Sequence, residues 1–299
     1  MTAHIVVGYT ATKTGRDAVA FAARLAMATG AVLDVAIILP ADSRSVITPP
    51  DAGYDRLLRE QAQAWIAAAI DKTPAEVVAH AHVRSAESFA EGLISLADDL
   101  GASHIVVGAA DGGLRGRHRL GTTTSELLHS SDVPVVLVPR GARKVAAETG
   151  VTRLTVAVGT RPGADALMVD AAALAAATGA SVRLLSLLTV DLPPTADTGA
   201  IRLAGSTEAD EVLAAAQTAL PEGLVVEVVV ADGDSIEDAV SHLDWQPGEV
   251  LLAGSSRLAQ PRRLFLGSTA AKMLHEVPVP VIVVPRTHLG GTTQEGSQR

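Results

Sequence analysis

The chain of 299 residues has no cysteine, which excludes disulfides and thiolate chemistry. Aromatic residues make up only 2% of it, so the stacking platforms that single-stranded nucleic-acid binders rely on are scarce. Positive charge is also short. Lys and Arg number 24 against 33 Asp and Glu, for a net charge of −9, a balance that opposes binding to nucleic acid or an anionic membrane. No apolar run reaches the roughly 18 residues of a membrane span. The opening MTAHIVVGYT lacks the basic region and long apolar run of a secretory signal. The expectation is a cytoplasmic protein without membrane insertion or a nucleic-acid partner. There is no G-x-S-x-G elbow, no H-E-x-x-H and no Walker A with its lysine. No catalytic residue or metal ligand is therefore assigned, and the chain is expected not to be an enzyme.

What the chain does have is a repeat. Leu120–Arg140 reads LGTTTSELLHSSDVPVVLVPR and Leu266–Arg286 reads LGSTAAKMLHEVPVPVIVVPR; the two align without a gap. ATGA occurs at Ala28–Ala31 and again at Ala177–Ala180. The period is far longer than that of a solenoid unit, so each copy is a whole domain. Residues 1–140 form the first, 141–150 (GARKVAAETG) a polar linker and 151–286 the second. The Gly-rich tail 287–299 has the composition of a disordered segment.

In copy one, strands are expected at His4–Tyr9, Val32–Leu39, Val77–Val83, His104–Val107 and Pro134–Val138. Helices are expected at Gly15–Ala28, Tyr54–Asp71, Ser88–Leu100 and Thr122–Ser130. Copy two repeats the order, with strands at Arg153–Val158, Ser181–Leu188, Leu224–Val230, Glu249–Ala253 and Pro280–Val284. Continuous Val, Ile and Leu runs indicate strands covered on both faces, as in a parallel sheet. Strict alternation with helices makes each copy a doubly wound α/β domain.

After the fourth strand, each copy carries a glycine loop. Gly108 and Gly121 are thirteen positions apart, as are Gly254 and Gly267. The later glycine precedes a hydroxyl pair, Thr122 and Thr123 in one copy and Ser268 and Thr269 in the other, where a helix begins. Free N–H groups and the helix dipole attract an anion there. Glycine allows close approach, and Ser or Thr adds a hydroxyl or simply caps the helix. Arg115, Arg117, Arg119, Arg257, Arg262 and Arg263 add charge around the loops. Phosphate binding and plain capping both fit this pattern.

The combination of these loops with Val133-Pro134-Val135 and Val279-Pro280-Val281 resembles the universal stress protein family, in its tandem two-domain form. The resemblance implies a five-stranded parallel sheet per domain, order 3-2-1-4-5, flanked by helices. It implies ATP, with or without Mg, in the crevice where the strand order reverses. The site residues carried over are Gly108, Gly121, Thr122, Thr123, Gly254, Gly267, Ser268 and Thr269. Family members pair through the fifth strand, so the two domains are expected to form an intramolecular pseudo-dimer, and the chain to form a homodimer if it assembles further. Two departures stand out. The family's signature is glycine, two residues, glycine, nine residues, then glycine with Ser or Thr, and its second glycine is Asp111 in copy one and Arg257 in copy two. The Asp that helps hold the base in nucleotide-binding members is replaced by Thr10 in copy one and by Gly159 or Thr160 in copy two. Copy two, which has no loop carboxylate, is the favoured site. The alternative is a degenerate interaction scaffold that binds no nucleotide.

Three other features have simpler readings. His80 and His82 share a strand face but lack a third ligand in the sequence. His129 and His275 sit where a helix ends, a position that suits a partly charged imidazole. Asp232-Gly233-Asp234-Ser235 reads as a turn leading into a capped helix at Ile236–Leu243.

Overall fold

A computed structural model describes residues 2–41, 52–110, 120–159, 164–189, 209–255 and 268–285. The first copy folds as β1 (His4–Gly8), α1 (Lys13–Thr29), β2 (Val32–Pro40), α2 (Ala52–Ile70), β3 (Ala79–Ala86), α3 (Phe89–Leu100), β4 (Ala102–Gly108), α4 (Thr122–Ser130) and β5 (Val135–Val138). The second follows as β6 (Arg153–Ala157), α5 (Ala164–Thr178), β7 (Ser181–Thr189), α6 (described over 209–218), β8 (Val226–Gly233), α7 (Ile236–Ser241), β9 (Glu249–Gly254), α8 (Ser268–Glu276) and β10 (Val281–Val284). The expected order of elements holds in both copies. The third strand of each copy lies later than expected, because its pairing with the second strand carries the ladder to Ala86 and Gly233.

The repeated ATGA marks a helix end. Gly30 and Gly179 take φ of +69° and +71°, the left-handed conformation that stops a helix and that glycine adopts without strain. The turn before each third helix is also repeated. Ser88 accepts from the Glu91 N–H while the Glu91 carboxylate accepts from the Glu87 N–H. Ser235 accepts from the Asp238 N–H while Asp238 accepts from the Asp234 N–H. Both are reciprocal caps, as the turn-and-cap reading of 232–235 anticipates.

Within each domain every strand pair is parallel, in the order β3-β2-β1-β4-β5 and β8-β7-β6-β9-β10. The two sheets meet where β10 pairs antiparallel with β5, Ile282 opposite Val136. One sheet of ten strands results. The Val-Pro-Val signatures feed these two strands. Each proline comes just before its strand, where a missing N–H costs no ladder bond. All eight residues of β5 and β10 are buried, and their alternating side chains enter the cores on both sides of the sheet. Burying each such side chain contributes about 1.5–3 kcal/mol, which is why these runs are apolar without alternation.

The segment between the copies is more than a tether. It forms two short 3₁₀ turns, Ala142–Lys144 and Ala147–Thr149, and is fastened to α1. Asp17, fully buried, accepts hydrogen bonds from the N–H groups of Gly141 and Arg143 at 2.9 and 3.2 Å. The Arg143 guanidinium donates to Asp17 and to the Lys13 carbonyl.

Candidate functional site

Strands β1 and β4 are neighbours, and the sheet order reverses between them. Their carboxyl ends therefore open a crevice at the switch point, the usual ligand position in open α/β sheets. Beyond β1, the chain turns sharply into α1. The Thr12 N–H donates to the Thr10 carbonyl at 2.6 Å, and the Thr12 hydroxyl caps α1 by accepting from the Gly15 N–H at 3.1 Å. A Cβ on Gly15 would collide with the Thr10 backbone, so glycine is required for that turn. The hydroxyls of Thr10, Thr12 and Thr14 form a chain at 3.0 and 3.1 Å.

Beyond β4, Gly108 packs against the first turn of α1. A Cβ there would lie 2.5 Å from the Thr14 carbonyl oxygen. The first glycine of the signature thus has a packing reason in this domain, whatever ligand the crevice takes. At the other end of the loop, a Cβ on Gly121 would lie 3.3 Å from Ala110 Cβ, so the loop returns to the point where it left the sheet. Gly121 precedes α4 with extended backbone, φ −96° and ψ 175°, and as the N-cap residue it has no side chain with which to cap the helix. The N–H groups of Thr122, Thr123 and Thr124 are those an uncapped first turn leaves without intrahelical partners. Thr122 is exposed, Thr123 half-buried and Thr124 buried. This is an anion-binding arrangement by charge and by geometry.

In the second domain, Gly254 ends β9, and the Ser255 N–H donates to Val284 O at 2.8 Å, matching the bond from Ala109 to Val138 O. Among the described residues, the atom nearest a Cβ on Gly254 would be Leu167 Cδ2 at 3.9 Å. Ser268 and Thr269 open α8. Gly159, after β6, is exposed and has open space around it. Gly267, Asp111, Thr160 and the six loop arginines lie outside the described residues.

Two consecutive segments of the chain, residues 1–139 and 150–285, match the family model described as the universal stress protein family. The chain belongs to the universal stress protein family. It is 30% identical over 296 residues to universal stress proteins of Mycobacterium bovis and Mycobacterium tuberculosis, an alignment covering 94% of this chain and 99% of each relative. Among solved structures, a universal stress protein from Archaeoglobus fulgidus superposes with a TM-score of 0.59 at 17% identity, covering 95% of this chain and 98% of that one. A putative universal stress protein from Pseudomonas aeruginosa gives 0.57 at 14% identity, covering 95% and 93%. These two likenesses establish the doubly wound fold.

The remaining polar features lie away from the crevice. A surface cavity of about 620 Å³ beside α3 and α4 is walled by Glu91, Asp98, Asp99 and Glu126. Burial, followed by the nearby charges of Asp132 and Asp99, raises the Asp98 carboxyl above its ordinary range. Such walls repel phosphate. His129 and His275 stand in the last turns of α4 and α8, as expected. Among the described residues, no group of three His, Cys, Asp or Glu side chains could hold a metal ion, and no helix is long and apolar enough to cross a membrane.

At the amino ends of the strands, each domain buries a charged cluster that sequence reading missed. In the first, Asp34 stands among His4, His80 and His82. In the second, Glu249 is fully buried. One of its oxygens accepts from Arg183 at 2.6 Å and Thr155 at 2.5 Å. The other accepts from Arg153 at 2.8 Å and the Gln246 N–H at 2.9 Å. Both guanidinium groups also donate to the Asp244 carbonyl, and Arg183 stacks on Trp245 at 5.0 Å. Burial lowers the Arg183 pKa, while Glu249 pulls it back up.

Proposed function

We propose that this chain is a non-catalytic, adenine-nucleotide-binding member of the stress-response family, taking ATP with or without Mg in one or both switch-point crevices. The single observation that carries the reading is the start of α4: Gly121 is extended, its N-cap position offers the helix no side chain, and the glycine lies beside the exit of β4. Phosphate oxygens would accept from the backbone N–H groups after Gly121 and from the hydroxyls of Thr122 and Thr123. In the sequence, Gly267, Ser268 and Thr269 align with these residues in the second copy. Gly108 and Gly254 end the strands from which the two loops leave. ATP would supply a polyanion for these donors, and its binding or release would be the signal. The antiparallel seam of β5 and β10 supports a pseudo-dimer within one chain, and we place the protein in the cytoplasm.

A second reading is an interaction scaffold of the same fold. Thr10 and Gly159 favour it, because neither supplies the carboxylate expected beside the base. Titration calorimetry with ATP, with and without Mg, separates the two readings. Saturable heat that Gly121→Val or Gly267→Val abolishes supports nucleotide binding and names the domain. Absence of heat in the native chain supports the scaffold.

A further inference from the structure

The segment joining the two domains is fastened at both ends, and its first end lies at the rim of the first crevice. The Ala109 N–H, where the glycine loop leaves β4, donates to the carbonyl of Val138, the last residue of β5. Soon after, Gly141 turns the chain with φ +96° and the segment crosses the start of α1. There the Arg143 guanidinium donates to the Lys13 carbonyl at 2.9 Å and to Asp17 at 3.2 Å. The next residue of α1, Thr14, sets its carbonyl against Gly108 and its hydroxyl at the end of the Thr10–Thr12–Thr14 chain. Gly108 is in turn the register partner of Val138. The ends of β4 and β5, the first turn of α1 and the start of the segment thus form a closed circuit of contacts.

At its other end the segment is fixed to the second domain. The Thr152 N–H and hydroxyl donate to the carbonyls of Gly248 and Pro247, each at 3.0 Å. A Cβ on Gly248 would lie 2.8 Å from Thr152 Cγ2 and 3.0 Å from Thr149 Cγ2, so the segment packs closely there. Gly248 leads directly into β9, which ends at Gly254, where the second glycine loop begins.

The two halves of the first fastening differ in solvent access. Asp17 is fully buried and holds the N–H groups of Gly141 and Arg143. The Arg143 side chain is 42% exposed. Water competes for an exposed guanidinium, so its bonds break and form at small cost. Arg143 is therefore the part of the clasp that opens without unfolding the rest.

We propose that the Arg143 clasp couples the first crevice to the joining segment: closed, it holds the first turn of α1 in the form that receives a nucleotide, and bound nucleotide tightens it in return. The proposal rests on the nucleotide reading above and names the regulation of that site. Arg143 acts through α1 and not on the ligand. A wall that is already ordered spares the ligand the cost of ordering it. By linkage, the factor by which the closed clasp raises affinity is the factor by which the ligand favours closure. Occupancy of the first domain then registers on the segment that leads to the second.

Hydrogen exchange followed by mass spectrometry on the full chain, with and without millimolar ATP and Mg, tests this alongside titration calorimetry. The expected result is several-fold slower exchange in the peptide spanning Gly141 and Arg143 when ATP is bound. Arg143→Ala should weaken ATP binding several-fold and remove that protection. Lys144→Ala, which removes the same charge from the neighbouring exposed position, should do neither. Saturable heat with unchanged exchange in the native chain overturns the coupling and leaves nucleotide binding standing, and this arm needs no variant to fold. Equal losses in the two variants also overturn it, because net charge and not the clasp would then set the affinity. No heat in the native chain overturns the nucleotide reading, and the coupling with it.

Discussion

The carbonyl oxygen of Thr14 stands 2.5 Å from where a Cβ on Gly108 would sit. The end of β4 and the first turn of α1 are thus in backbone contact, and the obstacle is main chain that no rotamer change can move aside. Gly108→Ala should destabilise the first domain by about 1–3 kcal/mol, the usual cost of overpacking. Differential scanning calorimetry of the variant checks this, and an unchanged melting temperature would contradict it.

Asp17 satisfies two backbone N–H groups and one guanidinium of the connecting segment. Asp17→Ala should leave these part-buried donors without their acceptor, costing at most about 1–3 kcal/mol. Arg143→Ala removes a side chain that is 42% exposed and should cost less than about 1 kcal/mol. Urea denaturation of both variants gives the comparison.

Glu249 offsets two buried guanidinium groups. Glu249→Gln should destabilise by about 3–5 kcal/mol, the penalty for leaving a buried charge without its partner. The triple replacement of Arg153, Arg183 and Glu249 by apolar residues should cost less than that single change. If the triple variant proves less stable than Glu249→Gln, the ion cluster contributes more than its desolvation costs.

Asp98 has a carboxyl raised above its ordinary range by burial and by the neighbouring carboxylates. Its ionised form is less favourable in the folded state than in the unfolded one, so its charge subtracts stability at neutral pH and ceases to do so as pH falls through the raised value. Asp98→Asn should therefore raise the melting temperature at neutral pH. The gain should vanish under acid conditions, where the native carboxyl is already protonated. Thermal melts across this range decide it.

Local pattern made much of this architecture legible. Runs such as HIVVG and VVLV are apolar on both faces, and the structure places them in a sheet covered on both sides. The ATGA repeat and the turn and cap at 232–235 are readable because each acts within a few residues. The buried clusters were not. His80 and His82 read as an incomplete pair because their partner, Asp34, arrives from a neighbouring strand 48 positions before His82. Arg183 and Glu249 are 66 positions apart, and nothing local in either stretch marks a charge destined for the interior. The connecting segment 141–150 read as a plain linker because its anchor, Asp17, lies on a helix over 120 positions earlier. In the crevice, sequence showed a glycine followed by hydroxyls, but the packing role of Gly108 required the fold.

The central claim is that this chain holds an adenine nucleotide, and mass spectrometry of small molecules released on denaturing the freshly purified protein tests it most directly. The account predicts ATP or a related adenine nucleotide in near-stoichiometric amount, lost from the Gly121→Val or the Gly267→Val variant. Release of no nucleotide, together with no heat of binding up to millimolar ATP with and without Mg, would contradict it and leave the scaffold reading.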